Sequence, residues 1–72
     1  MTLEQNTYYR GYVTLEGIQS FATNSLVINK IIDLGFTDVK AEGKGKNRIA
    51  TGKWLGTTRE YEPPKTIRLE KM

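Results

Sequence analysis

Only one stretch of this chain has the apolar spacing of an α-helix. It starts between Gly17 and Asn24 and ends at Leu34. Asn24 and Ser25 are candidate caps for a shorter version of this helix, and Gly35 supplies the left-handed residue that commonly follows a helix end. The apolar residues that would form a broad arc on one side of the helix are Phe21, Val27, Ile28, Ile31, Ile32 and Leu34.

The segments on both sides of this helix alternate with the period of β-strands. In the first strand Val13 and Leu15 share the side predicted to face the core. In the third, small residues at Ala50 and Gly52 would let a helix approach closely, although Gly52 is also compatible with a bulge. The predicted strands are residues 7–15, 38–42, 47–55 and 66–70, with a further short stretch at 59–62.

The order of these elements is strand, helix, strand, strand, strand. It predicts an α+β fold of two layers, in which one helix packs on a mainly antiparallel sheet of three or four strands. A chain of 72 residues has material for one core only, so we expect a single domain over residues 1–72. Residues 1–6 are expected to be loosely ordered.

The composition argues against catalysis and metal binding. The chain has no histidine and no cysteine, so it lacks the commonest general base and the usual zinc ligands. Its eight carboxylates are scattered and form no calcium-loop pattern. We therefore predict a non-enzymatic protein with no catalytic residue, no cofactor and no metal.

All of the net charge lies in residues 37–55. This segment carries five basic and two acidic residues, while the remaining positions balance to zero within a total of +3. Its centre, Gly43-Lys44-Gly45-Lys46, reads as a turn between two strands and is the expected place for an anionic partner. The alternative is a hairpin tip that lysines merely keep soluble. The candidate contacts for an anion or nucleic acid are Lys44, Lys46, Arg48 and Lys53.

The solvent side predicted for the first strand carries two aromatic rings on either side of a guanidinium. Tyr8, Arg10 and Tyr12 alternate with the inward residues, and such platforms bind single-stranded nucleic acid. Arg10-Gly11-Tyr12-Val13 resembles part of the aromatic strand motif of RNA-recognition modules, but the second aromatic residue is missing and the match falls on the first strand. The alternative interpretations are cross-strand packing and a protein interface.

Trp54 has two possible roles. It is core if its side of the third strand faces the helix, and it is an interface anchor if Ile49 and Leu55 face inward instead. The candidate protein interface consists of Tyr8, Arg10, Tyr12 and Trp54.

The start of the chain has no secretory or transit signature, and no apolar run approaches the length of a membrane span. We expect a soluble, cytoplasmic protein with a protein partner or self-association, of a size typical of phage and mobile-element proteins. The leading hypothesis is a small accessory or assembly protein that acts through protein contacts. One version is a homo-oligomer whose interface uses an exposed edge strand with Tyr8, Tyr12 and Trp54, because a short chain without disulfides or metal sites gains stability from a partner. The alternatives are a nucleic-acid-binding module that uses the basic 40–53 hairpin with the Tyr8 and Tyr12 strand face, and a regulator that docks on an enzyme through the hairpin.

Overall fold

The computed structural model describes residues 1–72 and places nearly half of them in strands. The elements in chain order are β1 (Thr2–Leu3), β2 (Thr7–Thr14), a 3-10 helix (Gly17–Phe21), α1 (Asn24–Asp33), β3 (Phe36–Lys44), β4 (Asn47–Trp54), β5 (Arg59–Glu60) and β6 (Ile67–Lys71). No helix is long and apolar enough to cross a membrane.

The main sheet has four antiparallel-paired strands in the order β3-β4-β2-β6. Because β2 and β3 both run antiparallel to β4, they are parallel to each other, and α1 connects them while β4 lies between them. This arrangement is a split β-α-β unit with a fourth strand on its outer edge. The predicted α+β class, with one helix packed on an antiparallel sheet, is confirmed.

The helix begins and ends through local interactions. Its start is capped by Thr23, whose Oγ1 accepts a hydrogen bond from the Leu26 N–H at 3.3 Å, so the predicted caps Asn24 and Ser25 lie inside the helix. Gly35 has a φ of 111°, and its N–H donates to the Ile32 carbonyl at 2.9 Å. The sequence prediction of the helix end is therefore confirmed, and the start differs because a separate 3-10 turn takes up residues 17–21.

The core lies between α1 and one face of the sheet. Tyr9 meets Phe36 edge to face at 6.4 Å between ring centroids, and Phe36 meets Trp54 in the same manner at 5.3 Å. The side of β4 that faces the core is the one predicted from its small residues, Ala50 and Gly52. The buried apolar residues are Leu3, Tyr9, Val13, Val27, Ile31, Phe36, Ala50 and Trp54.

A bulge adjoins Gly52, but on the neighbouring strand. The register of β3 against β4 shifts between Thr37 and Lys40, and Asp38 has a φ of 52°. A Cβ at Gly52 would lie 3.2 Å from Phe36 Cβ and 3.3 Å from Val39 Cγ2. Gly52 thus serves the close packing of β3 over β4.

The first residues differ from the sequence expectation of a loose terminus. Thr2–Leu3 pairs with Arg59–Glu60 as a separate two-stranded sheet, and Leu3 is fully buried. The Glu4 N–H donates to the Tyr9 hydroxyl at 2.7 Å. The N-terminal segment therefore closes one end of the core.

Candidate functional site

The outer face of the main sheet is covered by no other element of the chain. Strand alternation places Tyr8, Arg10 and Tyr12 of β2 on this side, as the sequence predicted. Tyr8 pairs in register with Lys53 of β4, and Tyr12 with Arg68 of β6. We call this surface, formed by Tyr8, Arg10, Tyr12, Lys53, Arg68 and Glu70, the sheet face.

Each tyrosine ring on the sheet face carries a cation from the neighbouring strand. Lys53 Nζ lies 5.7 Å from the centroid of the Tyr8 ring, and Arg68 Cζ lies 4.7 Å from that of Tyr12. Both distances are within the range of cation–π attraction. Neither Lys53 nor Arg68 takes part in an ion pair, so both charges are available to a ligand.

The tyrosine hydroxyls bind carboxylates at either end of the sheet face. The Tyr8 hydroxyl donates to Asp38 at 2.7 Å, and this hydrogen bond, with the charge of Asp38, raises the pKa of Tyr8. The Tyr12 hydroxyl donates to Glu70 at 2.8 Å, and Arg10 pairs with the same carboxylate at 3.2 Å. Hydrogen bonds from Tyr12 and then Arg10 lower the pKa of Glu70. These bonds direct the Tyr8 side chain across β4 towards β3 and the Tyr12 side chain towards β6.

The four predicted anion contacts do not lie together. Lys44 and Lys46 are exposed on either side of Gly45 at the hairpin tip, whereas Lys53 lies on the sheet face. Arg48 is 4% exposed, so its prediction as an anion contact is wrong in this fold. A signal for its burial was present, because Arg48 has the same strand parity as the inward residue Ala50.

The guanidinium of Arg48 is committed to three hydrogen bonds inside the protein. It donates to the Gly45 carbonyl at 3.1 Å, to Asn24 Oδ1 at 2.9 Å and to the Ser20 carbonyl at 3.1 Å. Asn24 in turn donates to the Gly43 carbonyl at 3.1 Å. Arg48 therefore joins the hairpin tip to the start of α1.

Trp54, predicted as an interface residue or as core, is core. Its side chain is 7% exposed, and its indole N–H donates to the Thr57 carbonyl at 2.9 Å. It is therefore not available to a partner. Sequence reasoning also missed Arg68, although its alternation with Ile67 and Leu69 places it on the outer side beside Tyr12.

A second surface, on the helix side, exposes large apolar residues. Ile18 is 88% exposed and Phe21 is 84% exposed. Phe21 lies beside Lys46 and Asn47, near the start of β4. The sequence predicted that Phe21 belongs to the apolar side of the helix, but Phe21 lies in the separate 3-10 helix. The buried side of α1 is therefore narrower than predicted. We call these residues the apolar patch: Ile18, Phe21, Leu26 and Leu34.

A groove of about 450 Å³ adjoins the apolar patch. α1 packs mainly on β3 and less on β4, so the side of the sheet formed by β2 and β6 has no helix above it. The groove runs along this gap, and its apolar lining includes Val13, Leu15, Leu26, Leu34, Pro64 and Ile67. It is partly open to solvent and can receive apolar side chains.

No group of three or more acidic residues is placed to hold a metal ion. Comparison of the chain with models of protein families, with curated proteins and with solved structures found no match. The two surfaces therefore have to be interpreted from their own chemistry.

Proposed function

We propose that this protein is a small non-enzymatic assembly protein of the cytoplasm that pairs with a second copy of itself through the apolar patch. The observation that carries the proposal is the near-complete exposure of Ile18 and Phe21 beside an apolar groove. Large apolar side chains grouped on one surface typically mark an interaction site. This interface differs from the one expected from the sequence, since Trp54 is buried and Tyr8 and Tyr12 bind carboxylates.

The accessible surface area of the chain is larger than that expected for a monomer of its mass, which favours a partner. Its accessible surface is 4982 Å², whereas a folded monomer of 8.2 kDa is expected to expose roughly 4,500 Å². The surplus is about a tenth of the total. A stable interface buries about 800 Å² on each partner, so pairing would remove more than this surplus from water.

The arrangement of the patch favours a second copy as the occupant of the groove. The projecting residues and the groove adjoin each other, because Gln19 and Ala22 of the 17–22 segment line the groove. A two-fold axis between them lets Phe21 of each copy enter the groove of the other. Such an isologous contact closes at two copies and does not propagate into a filament.

The free energies of burial and of association indicate a reversible dimer. Burial of one large apolar side chain stabilises by about 1.5–3 kcal/mol, so Ile18 and Phe21 of two copies would supply about 6–12 kcal/mol. The loss of translational and rotational freedom costs about 4–15 kcal/mol. At the favourable end of both ranges the difference is about 8 kcal/mol, which corresponds to a Kd of about 1 µM. Any smaller difference gives weaker pairing, so we expect a dimer that dissociates at micromolar or higher concentrations.

Sedimentation equilibrium from about 5 to about 500 µM tests the proposal. We expect the average mass of the wild type to rise towards twice the 8.2 kDa of one chain. Two sets of variants should remain monomeric: Ile18→Ser with Phe21→Ser, and Leu26→Ser in the groove. All three side chains are at least half exposed, so these changes should leave the fold intact.

Leu55→Ser is the matched control. Leu55 is also about half exposed, but it follows the far end of β4, away from Phe21, so its loss should leave the dimer unchanged. A wild type that stays monomeric up to the highest concentration would overturn the proposal. So would association that survives the patch variants and is lost only in Leu55→Ser.

A further inference from the structure

We propose that the sheet face, on the side of the sheet opposite the apolar patch, binds single-stranded nucleic acid. The surface differs from the basic hairpin suggested by the charge pattern, because Arg48 is buried and Arg68 of β6 joins Lys53 of β4. The inference is independent of self-association, since the two surfaces share no residue.

The rings of Tyr8 and Tyr12 are placed for base stacking. Their Cα atoms lie four residues apart on one strand, which separates these atoms by roughly 13 Å, and the two hydroxyls point towards opposite edges of the sheet. Tyr8 is 41% exposed, and the polar bonds of both hydroxyls fix the rings without covering the sheet. Every base has a flat face that stacks on an aromatic ring, so this geometry selects unpaired bases whatever their sequence.

The charges of the outer side complement a phosphate backbone. Strand pairing places Glu42 and Glu70 there, and the hydrogen bond from Tyr8 places Asp38 there as well. Against these three carboxylates stand five cations: Arg10, Lys40, Lys44, Lys53 and Arg68. Two of the carboxylates already accept hydrogen bonds from tyrosine hydroxyls. Lys53 and Arg68 each lie over a ring and take part in no ion pair. A base that stacks on the ring would therefore replace the cation there, and the displaced cation would bind the phosphate of that base.

The width of the sheet favours a single strand over a duplex. Four strands at about 4.8 Å spacing span roughly 14 Å between the outermost two, and the major groove of DNA is about 12 Å wide. The face therefore does not enter the groove. In a duplex the faces of the bases are also stacked on each other and are not offered to Tyr8 or Tyr12.

Fluorescence anisotropy with a labelled 12-nucleotide polypyrimidine strand tests the inference at about 50 and 200 mM salt. Three phosphate contacts, from Lys40, Lys53 and Arg68, predict a log–log salt slope of about −2, so Kd should rise roughly fifteen-fold between these salts. Lys53→Gln with Arg68→Gln should reduce the slope to about −0.7. The matched control, Lys46→Gln with Lys65→Gln, removes the same charge away from the face and should leave the slope unchanged.

Stacking is tested separately from charge. Tyr8→Leu with Tyr12→Leu should weaken binding at least tenfold with the salt slope unchanged. Tyr8→Phe with Tyr12→Phe keeps both rings and should bind within about twofold of the wild type. Amide chemical-shift mapping on the wild-type protein gives an answer that does not depend on any variant: shifts should concentrate in β2, β4 and β6 and spare the 17–34 segment.

Four results would overturn the inference. They are no binding at the lower salt, equal binding of a duplex of the same length, equal weakening by the Lys46 and Lys65 control, and shifts confined to the helix side. The Ile18→Ser with Phe21→Ser variant should bind the strand through each monomer. Failure of self-association and failure of strand binding are therefore distinguishable.

Discussion

At the scale of single residues, Trp54 is placed by two glycines. A Cβ at Gly35 would lie 2.7 Å from Trp54 Cζ3, and one at Gly56 would lie 2.6 Å from Cζ2. Both distances are shorter than a van der Waals contact, so the indole occupies the space that side chains would need. The indole of Trp54 is thus buried against two positions that have no side chain.

We expect Gly35→Ala to destabilise the fold more than Gly45→Ala. Both glycines have positive φ, so alanine costs about 1–2 kcal/mol of backbone strain at either site. Only at Gly35 does the new methyl group also meet the indole, which adds about 1–3 kcal/mol of overpacking. Chemical denaturation, monitored by Trp54 fluorescence, measures the loss of stability in each variant. Equal losses of stability would show that the indole does not pack against Gly35.

The carboxylate of Glu70 should titrate below its ordinary value of about 4.3. Tyr12 and Arg10 favour its charged form, so its contribution to stability is present above the unfolded pKa and is lost as pH falls through the lower, folded pKa. Tyr12→Phe removes the main donor and should raise the pKa of Glu70 in a carbon-13 NMR titration. Tyr8→Phe, which removes a donor to Asp38 only, should leave it unchanged.

At the scale of elements, Arg48 connects the β3–β4 hairpin to the start of α1. Its three acceptors come from Gly45 in the turn, Ser20 in the 3-10 helix and Asn24 in α1. No carboxylate is among them, so carbonyl dipoles alone stabilise the buried charge. The connection holds the 17–21 segment, and with it Phe21, in one position relative to the sheet.

We expect Arg48→Met to destabilise the protein by about 2–4 kcal/mol. Methionine keeps much of the packing but removes three hydrogen bonds from a charged donor, each of which contributes up to about 1.5–3 kcal/mol. Lys46→Met removes the same charge from an exposed position two residues away and should change stability by less than about 0.5 kcal/mol. Urea denaturation compares the two. Similar small effects would mean that the connection is not structural.

At the scale of the whole molecule, one ten-residue helix covers a four-stranded sheet unequally. β3 and part of β4 lie beneath α1, while the inner side of β2 and β6 borders the groove. The outer side of the sheet has no cover at all. The chain thus presents two chemically different surfaces, one apolar and one aromatic and cationic, on opposite sides of a single layer of strands.

The melting temperature should therefore depend on protein concentration. Pairing through the apolar patch stabilises the folded state by mass action, and each kcal/mol gained per chain raises the melting temperature of a domain of this size by about 4–8 °C. Thermal unfolding by circular dichroism at about 10 and 500 µM should show this rise in the wild type. The Ile18→Ser with Phe21→Ser variant should melt at one temperature throughout, and an equal rise in that variant would contradict the prediction.

Much of the fold was predictable because its signals are local. Gly35 ended the helix as expected, since a left-handed residue is needed there whatever the rest of the chain does. The inner side of β4 followed from small residues at Ala50 and Gly52. The positions of Tyr8 and Tyr12 on the outer side followed from alternation with Val13.

The candidate sites were less predictable because they depend on contacts between distant segments. Leu3 is buried because Arg59–Glu60 returns to pair with the N-terminus, and nothing near Leu3 indicates that return. The basic residues near Arg48 in the sequence predicted that it lies on a basic surface. In the structure it is buried and donates hydrogen bonds to Ser20 and Asn24. Phe21 has the helical spacing of a core residue, yet no element lies opposite it.

By itself, the sequence determined which side chains share a side of β2, β4 and β6 and where the helix stops, because the periods of two and 3.6 residues are properties of the local backbone. Only the tertiary structure decided which of those sides are covered. Coverage depends on how many elements reach the sheet and from where in the chain they come. One short helix above four strands leaves the sheet face open and Phe21 exposed, whatever the pattern within each segment.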